Sequence, residues 1–462
     1  MDDVPQLPAG FVWGAATASY QVEGAVDEGG RGRSVWDTFC ERPGAIADGS
    51  SGEIACDHYH RYREDVGLMR DLGLDAYRLS IAWPRVQPDG RGPANAEGLG
   101  FYDRLVDELL AAGIDPFVTL FHWDLPQALE DDGGWTSRDT AERFAEYASL
   151  CAERLADRVA LWAPVNEPNV VMTLGHAVGT HAPGRTLGVQ ALPVAHHLLL
   201  GHGLAAQALR AGGARAVGSA TNHTPVWPAS DTEADVVAAQ VFDAIWNRLF
   251  ADPMLLGRYP EGFADAMPGP IADDLVTIAQ PLDFYGLNYY NPTRIGSAAT
   301  AAAGGGPFDV PGMPFTMVPV EGYEHTDFGW PVVPEGLHEL LVTMRDRYGD
   351  RLPSIYVTEN GCSYADGPDA EGRVRDERRI SYYDKHLRAL AQAVDDGVDV
   401  GGYFAWSILD NFEWAEGYTQ RFGLVHVDFD TQQRTPKDSY HWYAEVIRQQ
   451  RARKNARGGG TE

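Results

Sequence analysis

Two glutamates each follow a short apolar run: Glu167 comes after Leu161-Trp162-Ala163-Pro164-Val165, and Glu359 after Ile355-Tyr356-Val357-Thr358. A carboxylate at the end of a buried run stands at a rim, where it forms an ordinary ion pair or does chemistry. Two such groups facing each other suit cleavage of a glycosidic bond. One is protonated to release the leaving oxygen, and the other is ionised to meet positive charge at the anomeric carbon. Arg78, inside the run Asp75-Ala76-Tyr77-Arg78-Leu79-Ser80, offers a cation to keep Glu359 ionised. Other runs also finish in polar residues, at Gln21, His122, Asn166, Asn222, Asn288 with Tyr290, and Trp406. A single one would be a loop residue, but a full ring of them at one rim is costly without function. Gln21, His122, Asn166 and Glu413 can grip vicinal hydroxyls. Aromatic rings suited to a sugar face are dense here: Trp123 beside His122, and the run from Trp406 through Phe412-Glu413 to Trp414 after the last strand. Trp36, Trp162 and Trp246 are equally well read as core.

Helix and strand patterns alternate along the chain and supply the rim. Four amphipathic segments end in glycine and lead into apolar runs, as in Leu72-Gly73 before Ala76 to Ser80 and Asp396-Gly397 before Val400 to Ala405. The other two lead into Pro116 to Leu120 and Ala216 to Ser219. With runs at Phe11 to Ala16, Leu161 to Val165, Phe284 to Leu287 and Ile355 to Thr358, eight strands are expected. Eight alternating units predict a closed (β/α)8 barrel, with the polar residues at the C-terminal ends of its strands. An open doubly wound sheet is disfavoured, because no Gly-rich phosphate loop follows the first strand. No linker composition interrupts the pattern, so residues 1–450 are expected to be one domain. The segment from Thr293 to Trp330 reads as a long irregular loop, and 451–462 as a basic, disordered tail.

Composition narrows the function classes. Hydrophobic residues at 44% and charged residues at 22% belong to a globular chain, and a formal net charge of −29 disfavours nucleic acid and anionic lipid as partners. No apolar stretch is long enough to span a bilayer, and Met1-Asp2-Asp3-Val4-Pro5 lacks the features of a secretory leader. A cytoplasmic protein is therefore expected. Its four cysteines, Cys40, Cys56, Cys151 and Cys362, are too scattered for a zinc or dithiol motif and read as reduced thiols. Asp57-His58-Tyr59-His60 reads as packing and capping, and no metal or cofactor is implied.

Longer motifs carry a resemblance. Phe11-Val12-Trp13-Gly14-Ala15-Ala16-Thr17-Ala18-Ser19-Tyr20-Gln21-Val22-Glu23-Gly24, Leu120-Phe121-His122-Trp123-Asp124-Leu125-Pro126, Asn166-Glu167-Pro168, Thr358-Glu359-Asn360-Gly361 and Phe412-Glu413-Trp414 resemble the family 1 glycoside hydrolases. The closest look is to bacterial β-glucosidases, over nearly the whole chain. The resemblance implies a retaining β-glycosidase acting on β-glucosides or cello-oligosaccharides, with Glu167 as acid then base and Glu359 as nucleophile. It implies that Gln21, His122, Asn166, Glu413 and Trp414 bond the glycone and that Trp406 stacks on it. Tyr290 would contact the nucleophile, Trp330 would form the aglycone platform, and Arg78 and Asn288 would support the carboxylates. Pro164-Val165 and His176 depart from the usual pattern, but both glutamates are kept. Glu167 disfavours the thioglucosidase branch, and Glu413 disfavours 6-phosphorylated sugars, whose dianion it would repel. A β-galactoside or β-fucoside preference, and transfer to a sugar in place of water, stay open on these residues. A sugar-binding protein without catalysis would not need to keep both glutamates.

Overall fold

The computed structural model describes residues 5–298 and 313–458. Eight strands run parallel in one sheet: β1 (Val12–Ala16), β2 (Ala76–Ser80), β3 (Asp115–Phe121), β4 (Leu161–Val165), β5 (Thr221–Asn222), β6 (Tyr285–Asn288), β7 (Ile355–Asn360) and β8 (Val400–Trp406). Their order is β4-β3-β2-β1-β8-β7-β6-β5. The two ends meet, because Trp162 pairs with Val217 and Asn166 with Ala220, both parallel. The expected α/β barrel is therefore present, with helices such as His58–Leu72, Ala96–Ala111, Arg138–Leu155 and Leu192–Ala211 between its strands. Gly73 closes the first of these in the left-handed conformation, at φ 83°, as its place after the periodic run predicts.

The floor of the barrel is aromatic. The Phe117 ring meets Phe284 at 5.3 Å and Phe404 at 5.4 Å, both edge to face. Gly14 makes room for Phe404, since a Cβ there would lie 2.2 Å from its ring. The Arg78 guanidinium sits over Phe117 at 5.8 Å, so the polar layer begins directly above a dry plug.

Three expectations need correction. The regular fifth strand covers Thr221–Asn222, beyond the predicted 216–219. On one side this stretch meets β4 through two single bridges, and on the other the Val217 amide donates to the Asp283 carboxylate at 2.8 Å. The segment after Thr293 is not a plain loop: Thr293–Ser297 joins Val226–Pro228 and Phe315–Val318 in a three-stranded sheet. Residues 299–312 lie outside the described part. The helix Asp438–Gly458 continues past the expected start of the tail, held where Arg451 donates to Asp75 at 2.6 Å and to the Gly73 carbonyl at 2.9 Å. Residues 459–462 are not described.

At the closing seam, a Cβ on Gly286 would stand 2.0 Å from the Ser219 carbonyl oxygen. The Ser219 backbone cannot yield cheaply, so Gly286→Ala is expected to cost about 1 to 3 kcal/mol. A thermal unfolding scan should show a lowered melting temperature.

Candidate active site

Every predicted rim residue arrives at the same end of the barrel. Arg78, in the middle of β2, is buried to 1% exposure and distributes its donors over four groups. Nη1 bonds Glu359 Oε1 at 2.6 Å and the Thr358 carbonyl at 3.1 Å, Nη2 bonds Asn166 Oδ1 at 2.6 Å, and Nε bonds Thr119 Oγ1 at 3.2 Å. The other Glu359 oxygen accepts from the Tyr290 hydroxyl at 2.7 Å. A carboxylate held between a guanidinium and a phenol is fixed in orientation.

Glu167 is built differently. It takes the left-handed conformation, at φ 46°, just before Pro168 and the π-helical turn Val171–Val178. Its Oε1 accepts from Asn288 Nδ2 at 2.8 Å and Asn222 Nδ2 at 3.1 Å, which leaves Oε2 to carry the proton of the neutral form. Burial pushes its carboxyl up to about 8, helped by the nearby charge of Glu359 and opposed by the two amides and Arg78. The carboxyls are joined by one chain of side chains. Glu359 binds Arg78, Arg78 binds Asn166 Oδ1, Asn288 also donates to that oxygen at 3.2 Å, and Asn288 holds Glu167.

With its oxygen engaged by Arg78 and Asn288, Asn166 turns its Nδ2 to His122 Nε2 at 3.0 Å. Burial, then the Arg78 charge, keeps His122 well below the usual histidine range and hence neutral. Since Asn166 donates to Nε2, the network assigns the ring proton to Nδ1, which has no partner among the described residues. Gln21 Nε2 donates to the Phe412 carbonyl at 2.9 Å, to Asn411 Oδ1 at 3.1 Å and to Glu413 Oε2 at 3.4 Å. Gln21 Oε1 is buried without a partner. Burial, then the charges of Glu359 and Glu167, pushes Glu413 up to about 8.

Rings enclose these groups. His122 stacks 5.9 Å from both Trp406 and Trp414, and Trp414 meets Trp123 at 4.5 Å and Trp36 at 4.7 Å. Trp123 and Trp414 are also left-handed, at φ 78° and 48°. With Glu167, that makes three non-glycine residues of one site in a disfavoured conformation. Trp330 lies further out, 5.1 Å from Tyr290 and 4.3 Å from Phe328.

Some contributors were missed from the sequence. Thr358 Oγ1 donates to Asn288 Oδ1 at 2.6 Å, and Trp246 Nε1 donates to Asn222 Oδ1 at 3.3 Å, so that indole supports the site. Trp162 belongs to the core. Strand alternation argues against adjacent residues such as Thr358 and Glu359 both reaching the site. The register of β7 shifts between Val357 and Glu359 against β6, and this irregularity brings both in. Thr119 was legible in principle, two residues after the inward Phe117. His58 pairs with Asp65 at 2.7 Å, as packing requires, and His60 pairs with Asp57 at 2.6 Å, but the Asp57 side chain does not cap the helix that follows. Among the described residues no group of three or more His, Cys, Asp or Glu could hold a metal ion, and no helix is long and apolar enough to cross a membrane.

The family described as Glycosyl hydrolase family 1 matches residues 4–452. The chain is similar to Beta-glucosidase A of Acetivibrio thermocellus, 44% identical over 452 residues that cover 96% of this chain and 98% of that one. It is 46% identical to a Beta-glucosidase of an Agrobacterium species, over 95% of each chain. Among solved structures, the family 1 b-glucosidase from Thermotoga maritima in complex with isofagomine lactam superposes with a TM-score of 0.91 at 41% identity, covering 97% of this chain and 100% of that one.

Next to the aromatic wall, Asp124 is fully buried. Ser19 Oγ donates to its Oδ2 at 2.8 Å, while Ser80 Oγ donates to Ser19 Oγ at 3.0 Å. Burial outweighs this bond and pushes the carboxyl up to about 7. The stability it contributes is complete below the ordinary carboxylate range and is lost as pH rises through about 7. Asp124→Asn removes that dependence. Melting scans from about pH 5 to about pH 8 should show the variant gaining on the wild type as pH rises; a pH-independent difference would contradict the assignment.

Proposed function

The chain belongs to glycosyl hydrolase family 1, and from that membership and the Glu167–Glu359 pair we propose that it hydrolyses terminal β-D-glucosides with retention, cellobiose and short cello-oligosaccharides included. The observation that carries the reading is the contrast between two buried carboxyls joined by one network. Glu359 is ion-paired, and Glu167 is held neutral at pH 7. Such a pair meets the two demands of glycoside cleavage without a metal or cofactor.

In the first step a Glu359 oxygen attacks C1 as the C1–O bond to the aglycone breaks, and the leaving oxygen takes the Glu167 proton. Arg78 and Tyr290 hold Glu359 in place. Ester formation removes the negative charge that helps keep Glu167 neutral, so Glu167 becomes a base. It then takes a proton from water as the water oxygen bonds C1, and the ester bond breaks to return the Glu359 carboxylate. The glycone is gripped by Gln21, His122, Asn166, Glu413 and Trp414, stacks on Trp406, and passes its aglycone toward Trp330. His122 donates from Nδ1, and Gln21 Oε1 accepts. The relatives named as beta-glucosidases support glucose as the glycone. The four free cysteines suit a cytoplasmic, reducing setting.

The test is Glu359→Ala. It should lower kcat on an aryl β-glucoside at least about a thousandfold with the fold intact. Azide should then restore turnover of an activated substrate and yield the α-glycosyl azide, whereas a β product would assign Glu359 as the acid/base. The second expectation concerns pH. In the wild type kcat/KM should fall as pH rises through about 8, because the acid must carry its proton. In Glu167→Gln, an activated substrate that needs no proton should show no such limb. A limb that persists would belong to Glu413, which burial holds in the same range.

A further inference from the structure

The loop after β8 leaves the barrel at Trp406 and doubles back on itself. Its outgoing and returning limbs are joined by backbone bonds: the Ser407 amide donates to the Phe422 carbonyl at 3.2 Å, Leu424 to Ser407 at 2.9 Å, Val425 to Ile408 at 2.9 Å and Asp410 to Val425 at 2.9 Å. Between Asp410 and Arg421 runs the excursion that carries Glu413 and Trp414. Asp410 closes it at its neck. The carboxylate is fully buried with both oxygens filled: Oδ1 accepts from Lys437 Nζ at 2.8 Å and from the Gly423 amide at 2.9 Å, and Oδ2 accepts from Arg421 Nη1 at 3.0 Å. The returning limb passes so close that a Cβ on Gly423 would stand 2.0 Å from the Asp410 nitrogen. Burial works against the charge, but Lys437, Arg421 and Arg379 together hold the carboxyl below the usual carboxylate range.

Arg421 and Gly423 belong to the loop itself, whereas Lys437 comes from outside it. Lys437 follows the strand Arg434–Pro436, its amide donates to the Leu424 carbonyl at 3.0 Å, and the helix Asp438–Gly458 starts directly after it. The start of that helix is itself fixed, since the Asp438 amide donates to the Val374 carbonyl at 3.0 Å and the Ser439 amide to Asp376 Oδ1 at 2.8 Å. Lys437 Nζ is sealed from water and has Asp410 as its one hydrogen-bond partner among the described residues. An ion pair this deep adds little net stability over an apolar pair of the same shape, because both ions lose their hydration. What it can supply is a fixed distance and direction, since either member alone would be an uncompensated buried charge.

We propose that Lys437 is a positioning residue for the glycone site: through Asp410 it anchors the neck of the loop to the last helix and so sets where Glu413 and Trp414 stand. This rests on the reading that those two side chains grip the glycone. The path from neck to grip is short. Asn411 and Phe412, which join Asp410 to Glu413, are clasped by Gln21, whose Nε2 also lies 3.4 Å from Glu413 Oε2. Glu167 and Glu359 take their side-chain bonds from Asn222, Asn288, Arg78 and Tyr290, all outside the loop. A displaced neck therefore disturbs the hold on the sugar and leaves the two reacting carboxyls in place.

The test compares Lys437→Met, Glu413→Gln and the double variant on an aryl β-glucoside. Assay at pH 7 keeps the wild-type ammonium charged, although burial and then the Arg379 charge push it down to about 8. Lys437→Met keeps the length of the side chain and removes its charge. It should raise KM by roughly threefold or more with kcat within about twofold, because an interaction with the glycone far from C1 is weakened. In the Glu413→Gln background the same change should raise KM by less than about twofold, since it acts through a side chain already altered. A purely structural part would lower the melting temperature and leave KM alone, and that result would overturn the proposal. So would a full effect of Lys437→Met in the Glu413→Gln background. If Glu413→Gln itself leaves KM unchanged, the grip fails and the proposal falls with it; a raised KM there with none in Lys437→Met removes Lys437 alone. If Lys437→Met does not fold, Arg421→Met, at a partly exposed side chain, breaks the same clamp at Oδ2 and should raise KM in the same way. An unchanged KM in that variant would overturn the clamp.

Discussion

One buried cation organises this barrel. Arg78 rests on the Phe117 ring above a dry aromatic floor and is sealed from water, so its charge must be met by groups of the protein. The Glu359 carboxylate meets it at 2.6 Å, and the remaining donors fix the Thr358 carbonyl, Asn166 and Thr119. Because the guanidinium is flat and rigid, groups from β2, β3, β7 and the turn after β4 are locked into one plane. Asn166 passes that order to His122 and, with Asn288, to Glu167.

The same charge settles protonation. Glu167, Glu359 and Glu413 share a space from which water is largely excluded, and Arg78 bonds Glu359 alone among the three. One cation supports one anion, so burial and the Glu359 charge drive the other two carboxyls toward the neutral form. Division of labour between chemically identical side chains thus comes from which of them touches the guanidinium. It also makes the division conditional, because losing the Glu359 charge would remove one of the two causes that raise the Glu167 carboxyl, burial being the larger.

Precision at the rim is bought with backbone strain. Trp123, Glu167 and Trp414 all sit at positive φ, each turning sharply just beyond a strand or within the long loop after β8. Such conformations persist only when surroundings over-determine them. Here the surroundings are stacked indoles, the Trp123 Nε1 bond to the Asn166 carbonyl at 3.2 Å, and the Ser80–Ser19–Asp124 chain below. Gln21 adds a further clasp, holding the loop after β8 through Asn411 and the Phe412 carbonyl while leaving its own oxygen unpaired.

The amino-acid sequence determined which residues end the strands and therefore which side chains gather at one rim. Alternating helix and strand periods, with glycine caps such as Gly73, suffice for that, since they depend on local spacing. It also determined that two glutamates and Arg78 would be present there together. What it left open was decided by distance. The irregularity in β7 that lets Thr358 and Glu359 both reach the site, the capture of the Val217 amide by Asp283 at the closing seam, and the small sheet formed around Thr293–Ser297 all depend on neighbours remote in the chain. The same holds for the contrast between Glu167 and Glu359. Residue type gives both the same intrinsic acidity, and only three-dimensional placement, one against a guanidinium and the other against two amides in a dry pocket, separates them, because electrostatic energy follows separation and burial and not order along the chain.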